Sequence, residues 1–135
     1  MSVVLFICKY NNSRSQIAEA IFNKLTKKHK AISAAGSSVG AGIDSSDIKL
    51  MREKFDVDLS NQFPKAPNNE MLKMADKIII VCDPNDCILI PNEYIKKAEH
   101  WYIPTLEGLS VEDKTKIIET IYAKVKELIS MLDSQ

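Results

Sequence analysis

Two uninterrupted apolar runs constrain this chain most strongly. The segments SVVLFI (residues 2–7) and KIIIVC (residues 77–82) are rich in β-branched residues and show no alternation of polar and apolar positions. Such runs are typical of strands that are buried on both faces, as in a parallel sheet covered by helices. A chain of 135 residues is long enough to bury one core without further support. We therefore predict a single domain over residues 1–135.

The stretches between these runs alternate between helical and extended patterns. The predicted elements are strand 2–7, helix 15–29, strand 30–36, helix 45–55, helix 68–76, strand 77–82, strand 98–103 and helix 110–132. Alternation of this kind is typical of right-handed crossovers between parallel strands. The sequence thus predicts a three-layer α/β fold, with a four-stranded parallel sheet and helices on both faces.

Charge and cysteine content exclude several classes of function. The chain carries 18 basic and 18 acidic residues, so its formal net charge is zero, and we expect it to bind neither nucleic acid nor a membrane. The apolar amino-terminal run follows no basic leader and is too short to span a bilayer. Three cysteines, an odd number, argue against a disulfide framework. We expect a cytoplasmic protein.

The segment CKYNNSRS after the first strand has the features of an oxyanion site. Cys8 and Arg14 are six positions apart, where the predicted strand gives way to a helix. Peptide N–H groups of such a turn and the positive end of the helix attract an anion, which an arginine grips with two hydrogen bonds. The same field favours the thiolate of Cys8, and Ser15 can donate a hydrogen bond to it. The predicted anion-binding loop comprises Lys9, Tyr10, Asn11, Asn12 and Ser13. The alternative is that Cys8 is a small buried apolar residue and Arg14 an ordinary surface charge.

These residues resemble the low-molecular-weight protein tyrosine phosphatase superfamily, which includes the thioredoxin-coupled arsenate reductases. The resembling segments are VLFICKYNNSRSQIAEAIF, SAAGS, DIKLMREKFDVDLS, DKIIIVC and EHW. The resemblance implies a catalytic Cys8, an anion-binding Arg14, an assisting Ser15 and an Asn11 that holds the loop in shape. It also implies a phosphate-binding loop directly after the first strand.

Three features are similar to the reductase branch of this superfamily. Gln16 stands where the phosphatases usually have proline, KKAEHW is typical of reductases, and Cys82 and Cys87 flank the loop after the third strand. In this branch Cys8 would attack arsenate, Cys82 would attack Cys8, and Cys87 would pass the disulfide to thioredoxin. Because Cys8 and Cys82 end central strands, we expect them to open onto one crevice. The alternative is that Cys82 fills the core and Cys87 is an incidental loop thiol.

The general acid of the superfamily is missing from this sequence. Its members carry an aspartate four residues after the tryptophan, whereas WYIPTLEG has Thr105 at that place. A threonine cannot protonate a leaving group at neutral pH, which removes roughly 10²- to 10⁴-fold of catalysis. Glu107 is the nearest substitute, and the favoured alternative is that it is a plain surface carboxylate.

The remaining chemistry-bearing residues suggest no metal or cofactor. Cys82, Cys87 and His100 offer at most three ligands without a paired motif. His29, near the end of a predicted helix, is predicted to be a solvated cation. The sequence thus predicts a cysteine-nucleophile enzyme acting on arsenate or phosphate, and it favours arsenate reduction over hydrolysis of phosphotyrosine or aryl phosphates. A third reading is a degenerate member that only binds phosphate.

Overall fold

The computed structural model of the chain describes residues 1–85, 87–88 and 90–135. Its elements in chain order are β1 (Val3–Cys8), α1 (Arg14–Leu25), β2 (Lys30–Ala35), α2 (Ser45–Phe55), α3 (Asn69–Met74), β3 (Lys77–Cys82), a 3₁₀ helix (Asn92–Lys97), β4 (Ala98–Tyr102) and α4 (Val111–Asp133). Residues 83–86 after β3 have a composition typical of a flexible turn, and Asp86 lies outside the described residues.

The four strands form one parallel sheet in the order β2-β1-β3-β4. Every residue of β1 is buried, and so are five of the six residues of β3. The two continuous apolar runs are therefore the central strands, which confirms the predicted α/β sheet. The chain leaves β1 towards β2 and then returns to the other side of β1 to form β3. A crevice is expected at the carboxyl ends of β1 and β3, where the winding direction changes.

Each face of the sheet has its own apolar cluster. One cluster joins β1, β3 and β4 to α1, α2 and α4, and Phe6 lies at its centre with its ring 6.1 Å from Phe22 and 5.7 Å from Trp101. The second cluster lies beneath α3 and the 3₁₀ helix and includes Leu72 and Tyr94. Helices thus cover both faces of the sheet, as predicted.

His29 departs from its prediction. Helix α1 ends at Leu25, and the His29 side chain is only 4% exposed. Its Nδ1 accepts a hydrogen bond from the backbone N–H of Ser2 at 2.9 Å, and its Nε2 lies 2.9 Å from Asp133 Oδ1. The prediction of a solvated cation is wrong because Lys30 pairs with Val3 in the sheet, which places His29 beside Ser2 and beneath the end of α4.

The described residues contain neither a helix suited to span a membrane nor a cluster suited to hold a metal ion. No helix within residues 1–85, 87–88 and 90–135 is long and apolar enough to cross a membrane. The same residues contain no group of three or more His, Cys, Asp or Glu side chains placed to hold a metal ion.

Candidate functional site

The turn between β1 and α1 is the loop that the sequence predicts to bind an oxyanion. Three of its carbonyl groups accept hydrogen bonds from a neighbouring segment: Cys8 from Gly36 N at 2.8 Å, Lys9 from Ser37 N at 2.9 Å and Tyr10 from Gly40 N at 2.9 Å. With the carbonyl oxygens engaged in this way, the peptide N–H groups of the turn can converge on a bound oxyanion.

Asn11 adopts a backbone conformation that is rare outside glycine. Its φ is 55°, in the left-handed region. The buried side chain holds it there: Nδ2 donates to Ser15 Oγ at 2.7 Å and to Ser33 Oγ at 3.0 Å, and Oδ1 accepts from the backbone N–H of Lys65 at 3.0 Å. Asn11 thus supports the loop from behind and does not line the cleft in front of it.

Ser15 connects this support to the sulfur of Cys8. Its Oγ lies 2.9 Å from Cys8 Sγ, and both residues are buried. Because Asn11 donates to Ser15 Oγ, the hydroxyl proton of Ser15 remains to be donated to the sulfur. The structure therefore places Ser15 where the sequence analysis expects a donor to the thiolate.

Three further polar residues behind the loop were not predicted as site residues from the sequence. Ser33 on β2 donates to Glu19 Oε1 at 2.5 Å, and Lys65 Nζ lies 3.8 Å from the same carboxylate oxygen. The signal that could have revealed Ser33 is its position, since it is a polar residue within the apolar segment that forms β2.

Arg14 lies in the first turn of α1 and is only 8% exposed. One guanidinium nitrogen donates to the carbonyl of Ile103 at 2.6 Å and lies 3.7 Å from Asp83 Oδ2. The alternative that Arg14 is an ordinary surface charge is therefore wrong. Asp83 was not predicted as a site residue, although its place directly after β3 is where active-site residues of parallel sheets tend to occur.

A cleft of about 790 Å³ opens above the loop. Among the predicted site residues, it is lined by Cys8, Lys9, Tyr10, Asn12, Ser13, Arg14 and Glu107. The opposite wall contains the ion pair of Asp47 and Lys114, whose charged atoms lie 2.8 Å apart and are mostly buried. Beside it, hydrogen bonds from the side chain and the backbone N–H of Ser46 lower the pKa of Asp44. Among the described residues, three basic and four acidic side chains thus line the cleft: Lys9, Arg14, Lys114, Asp44, Asp47, Asp83 and Glu107.

The position of the missing general acid also faces this cleft. Thr105 and Glu107 both line it, and the backbone N–H of Glu107 donates to Thr105 Oγ1 at 3.2 Å. Glu107 therefore shares the cleft with Cys8. Its two readings, as a substitute acid and as a surface carboxylate, both stay open.

Cys82 and Cys87 are joined by a disulfide, with their Cα atoms 5.2 Å apart, and Cys8 is a free thiol. Cys82 belongs to the apolar cluster beneath α3, whereas Cys8 belongs to the cluster on the other face. Neither Cys82 nor Cys87 is among the described residues that line the cleft.

The expectation that Cys8 and Cys82 open onto one crevice is therefore wrong for the disulfide-bonded state. The physical reason is the alternation of side chains along a strand: Val81 and Cys82 point to opposite faces, and only Val81 shares a face with Cys8. The disulfide joins the two cysteines that the reductase branch is expected to oxidise last. It makes Cys87 a partner of Cys82 and not an incidental thiol.

Comparisons with known proteins agree with this geometry. The family described as low molecular weight phosphotyrosine protein phosphatase matches residues 3–135. Arsenate reductase 2 of Staphylococcus saprophyticus is 29% identical over 126 residues, which cover 92% of this chain and 93% of that protein.

Two solved structures share the fold over nearly the whole chain. The arsenate reductase of Archaeoglobus fulgidus superimposes with a TM-score of 0.81 at 28% identity, covering 94% of this chain and 98% of that one. A thioredoxin-dependent arsenate reductase of Corynebacterium glutamicum gives 0.74 at 28% identity and covers all of this chain and 64% of its own. The chain thus belongs to the low molecular weight phosphotyrosine protein phosphatase family.

Proposed function

We propose that this protein is an arsenate reductase that passes oxidising equivalents from Cys8 through Cys82 to Cys87. The observation that carries the proposal is the combination of a free Cys8 in an anion-binding loop with a disulfide between the other two cysteines. The arsenate reductases among its relatives support the same assignment. Because the cycle needs reduced thiols, we place it in the cytoplasm.

The first step would form a bond between Cys8 and arsenic. The loop and Arg14 would hold arsenate, the Cys8 thiolate would attack the arsenic atom, and an arsenic–oxygen bond would break, its oxygen leaving as water after protonation. Ser15 would stabilise the thiolate before attack through its hydrogen bond.

The second step would form a disulfide as arsenic is reduced, and the third would be a thiol–disulfide exchange. The Cys82 thiolate would attack Cys8 Sγ, and the electron pair of the sulfur–arsenic bond would stay on arsenic, which leaves as arsenite with arsenic reduced from the +5 to the +3 state. The Cys87 thiolate would then attack Cys82 Sγ and release the Cys8 thiolate. The resulting Cys82–Cys87 disulfide is the one in the structure. A dithiol protein such as thioredoxin would reduce it.

The relay requires movement after β3. Cys82 lies on the face opposite Cys8 while it is bonded to Cys87, so its sulfur must turn towards Cys8 once the disulfide is reduced. Residues after Cys82 are suited to this because Asp83, Pro84 and Asn85 are typical of turns.

Arsenate reduction coupled to thioredoxin, thioredoxin reductase and NADPH tests the proposal. Wild-type protein should oxidise NADPH when arsenate is added, whereas Cys8→Ser and Cys82→Ser should not. In Cys87→Ser the cycle should stop after one turnover, with Cys8 and Cys82 joined in a disulfide that peptide mapping identifies. Wild-type protein that reduces no arsenate would refute the assignment.

Hydrolysis of aryl phosphates is the second candidate, favoured by the fit of the same loop to phosphate. Two observations weigh against it: Thr105 replaces the acid, and Tyr10 is the only aromatic residue among the described residues that line the cleft. p-Nitrophenyl phosphate turnover that is lost in Cys8→Ser, without any arsenate reduction, would favour the phosphatase. If neither substrate reacts but phosphate protects Cys8 from alkylation, the protein only binds phosphate.

A further inference from the structure

A line of hydrogen-bonded side chains runs from the protein surface to the sulfur of Cys8. Gln62, half-buried in the segment between α2 and α3, donates through Nε2 to Gln16 Oε1 at 2.7 Å and to the Gln16 carbonyl at 3.0 Å. Gln16 donates to Asn11 Oδ1 and to the Asn11 carbonyl, both at 3.0 Å. Asn11 donates to Ser15 Oγ at 2.7 Å, and Ser15 lies 2.9 Å from Cys8.

Every link of this line donates in the same direction. A side-chain amide has its donors on nitrogen and its acceptor on oxygen, so the partner at one end decides what the other end can offer. Gln62 donates to the Gln16 oxygen, and the Phe63 carbonyl accepts from Gln16 Nε2 at 2.8 Å. Both contacts fix the Gln16 amide with its NH₂ group facing Asn11. Asn11 accordingly accepts at Oδ1 and presents its own NH₂ group to Ser15, which keeps its proton for the sulfur of Cys8.

If one amide group were turned over, the sulfur of Cys8 would no longer receive a hydrogen bond from Ser15. If the oxygen of Asn11 faced Ser15, the Ser15 proton would bond to that oxygen and Cys8 would lose its donor. Hydrogen bonds aligned in one direction also polarise one another, which strengthens the last bond of the line. The backbone N–H of Lys65 holds Asn11 Oδ1 in the same sense, so loss of Gln62 weakens the line without breaking it.

We propose that Gln62 and Gln16 are positioning residues that orient this line of donors towards the Cys8 thiolate. Gln16 is fully buried and so fixed in its orientation, whereas Gln62 is partly exposed on a segment remote from the cleft. The inference rests on the proposed role of Cys8 as the nucleophile. It applies to arsenate and phosphate alike.

The disulfide-bonded protein offers a direct test because Cys8 is its free thiol. Gln62→Met removes the donors but keeps an unbranched side chain of similar length. We expect iodoacetamide to alkylate Cys8 about threefold to tenfold more slowly in this variant at neutral pH, as the thiolate loses part of its stabilisation. Asn61→Met, the same kind of change at the exposed neighbouring position, should alkylate at the wild-type rate.

Two further measurements separate orientation from general stability. In arsenate turnover, Gln62→Met should lower kcat by a similar factor and leave KM unchanged. In a Ser15→Ala background, where the last link is already absent, Gln62→Met should cause no additional slowing of alkylation. A wild-type alkylation rate in Gln62→Met, or an equal slowing with and without Ser15, would overturn the inference. Alkylation needs no turnover, so a protein inactive on arsenate would refute the proposed function and leave this test intact.

Discussion

At the scale of single residues, the candidate site offers more groups that could hold an anion than groups that could transfer a proton. Arg14 is anchored by Ile103, Ser15 reaches Cys8, and Asn11 shapes the loop from behind. Thr105 lines the cleft at the position where a protonating side chain is expected, but it cannot supply a proton at neutral pH. The residues of the candidate site are thus better suited to anion binding and to attack by Cys8 than to protonation of a poor leaving group.

Thr105→Asp should therefore increase turnover of aryl phosphates. A carboxyl group at this place would face the same cleft as Cys8 and could protonate the leaving phenolate, so we expect a gain of about tenfold or more in kcat. Phenyl phosphate should gain more than p-nitrophenyl phosphate, because its leaving group needs the proton more. Glu107→Gln is the matched comparison. If Glu107 already serves as the acid, that variant loses activity and Thr105→Asp gains none.

Arg14→Lys should weaken anion binding even though the charge is kept. The buried guanidinium donates to the Ile103 carbonyl and still has other N–H groups for an oxyanion, a combination that a lysine ammonium cannot reproduce. We expect the phosphate concentration that half-protects Cys8 from alkylation to rise about tenfold or more. Arg52→Lys, at the chain's other arginine on the exposed side of α2, should leave it unchanged.

At the scale of elements, a local chemical signal sets the start of α2. Helix α2 begins behind Asp44, whose carboxylate accepts from the backbone N–H of Ser46 at 2.7 Å and from its hydroxyl at 2.7 Å. These hydrogen bonds, the one from the Ser46 side chain first, lower the pKa of Asp44 below its ordinary value of 3.8. The cap therefore stabilises α2, which forms the wall of the cleft that carries Asp47.

Asp44→Ala should destabilise the protein in a pH-dependent way. Loss of a helix cap costs about 1 kcal/mol, and this exposed position should give no more than that. Because the pKa is lowered in the folded state, the stabilisation is present above pH 3.8 and is lost as the pH falls below it through the folded pKa. Urea unfolding at neutral pH and near pH 3 measures the difference. Asp44→Asn retains a capping oxygen that does not titrate, so it should exceed Asp44→Ala in stability by the same margin at both.

The same elements show how far sequence reasoning reaches. The central strands were predictable because β1 and β3 are continuous apolar runs, and the anion loop was predictable because Cys8 and Arg14 flank a turn between a strand and a helix. The face on which Cys82 lies was not, since a strand buried on both sides shows no alternation to reveal it. Gln62 was also missed, because its contact with Gln16 spans 46 positions in the chain and leaves no local pattern.

At the scale of the whole molecule, the candidate site and a stabilising contact lie at opposite ends of the sheet. Cys8 and the cleft lie at the carboxyl end of β1, whereas His29 lies at the opposite end and ties two distant parts of the chain together. Its ring accepts from the backbone of Ser2 and contacts Asp133 in the last turn of α4. This arrangement predicts that substitutions at His29 change the free energy of unfolding without changing the reactivity of Cys8.

His29→Ala should lower the free energy of unfolding while leaving Cys8 unaffected. The change leaves the backbone N–H of Ser2 without its acceptor and opens a gap under α4, at a cost of about 1–3 kcal/mol. Lys28→Ala is the matched control, because Lys28 Nζ approaches the same Asp133 only to 4.0 Å and its side chain is 58% exposed. The free energy of unfolding of that variant should lie within about 0.5 kcal/mol of wild type.

Iodoacetamide should alkylate Cys8 at the wild-type rate in both variants under native conditions. Slower alkylation in His29→Ala would show that the two ends of the sheet are coupled and would contradict their separation.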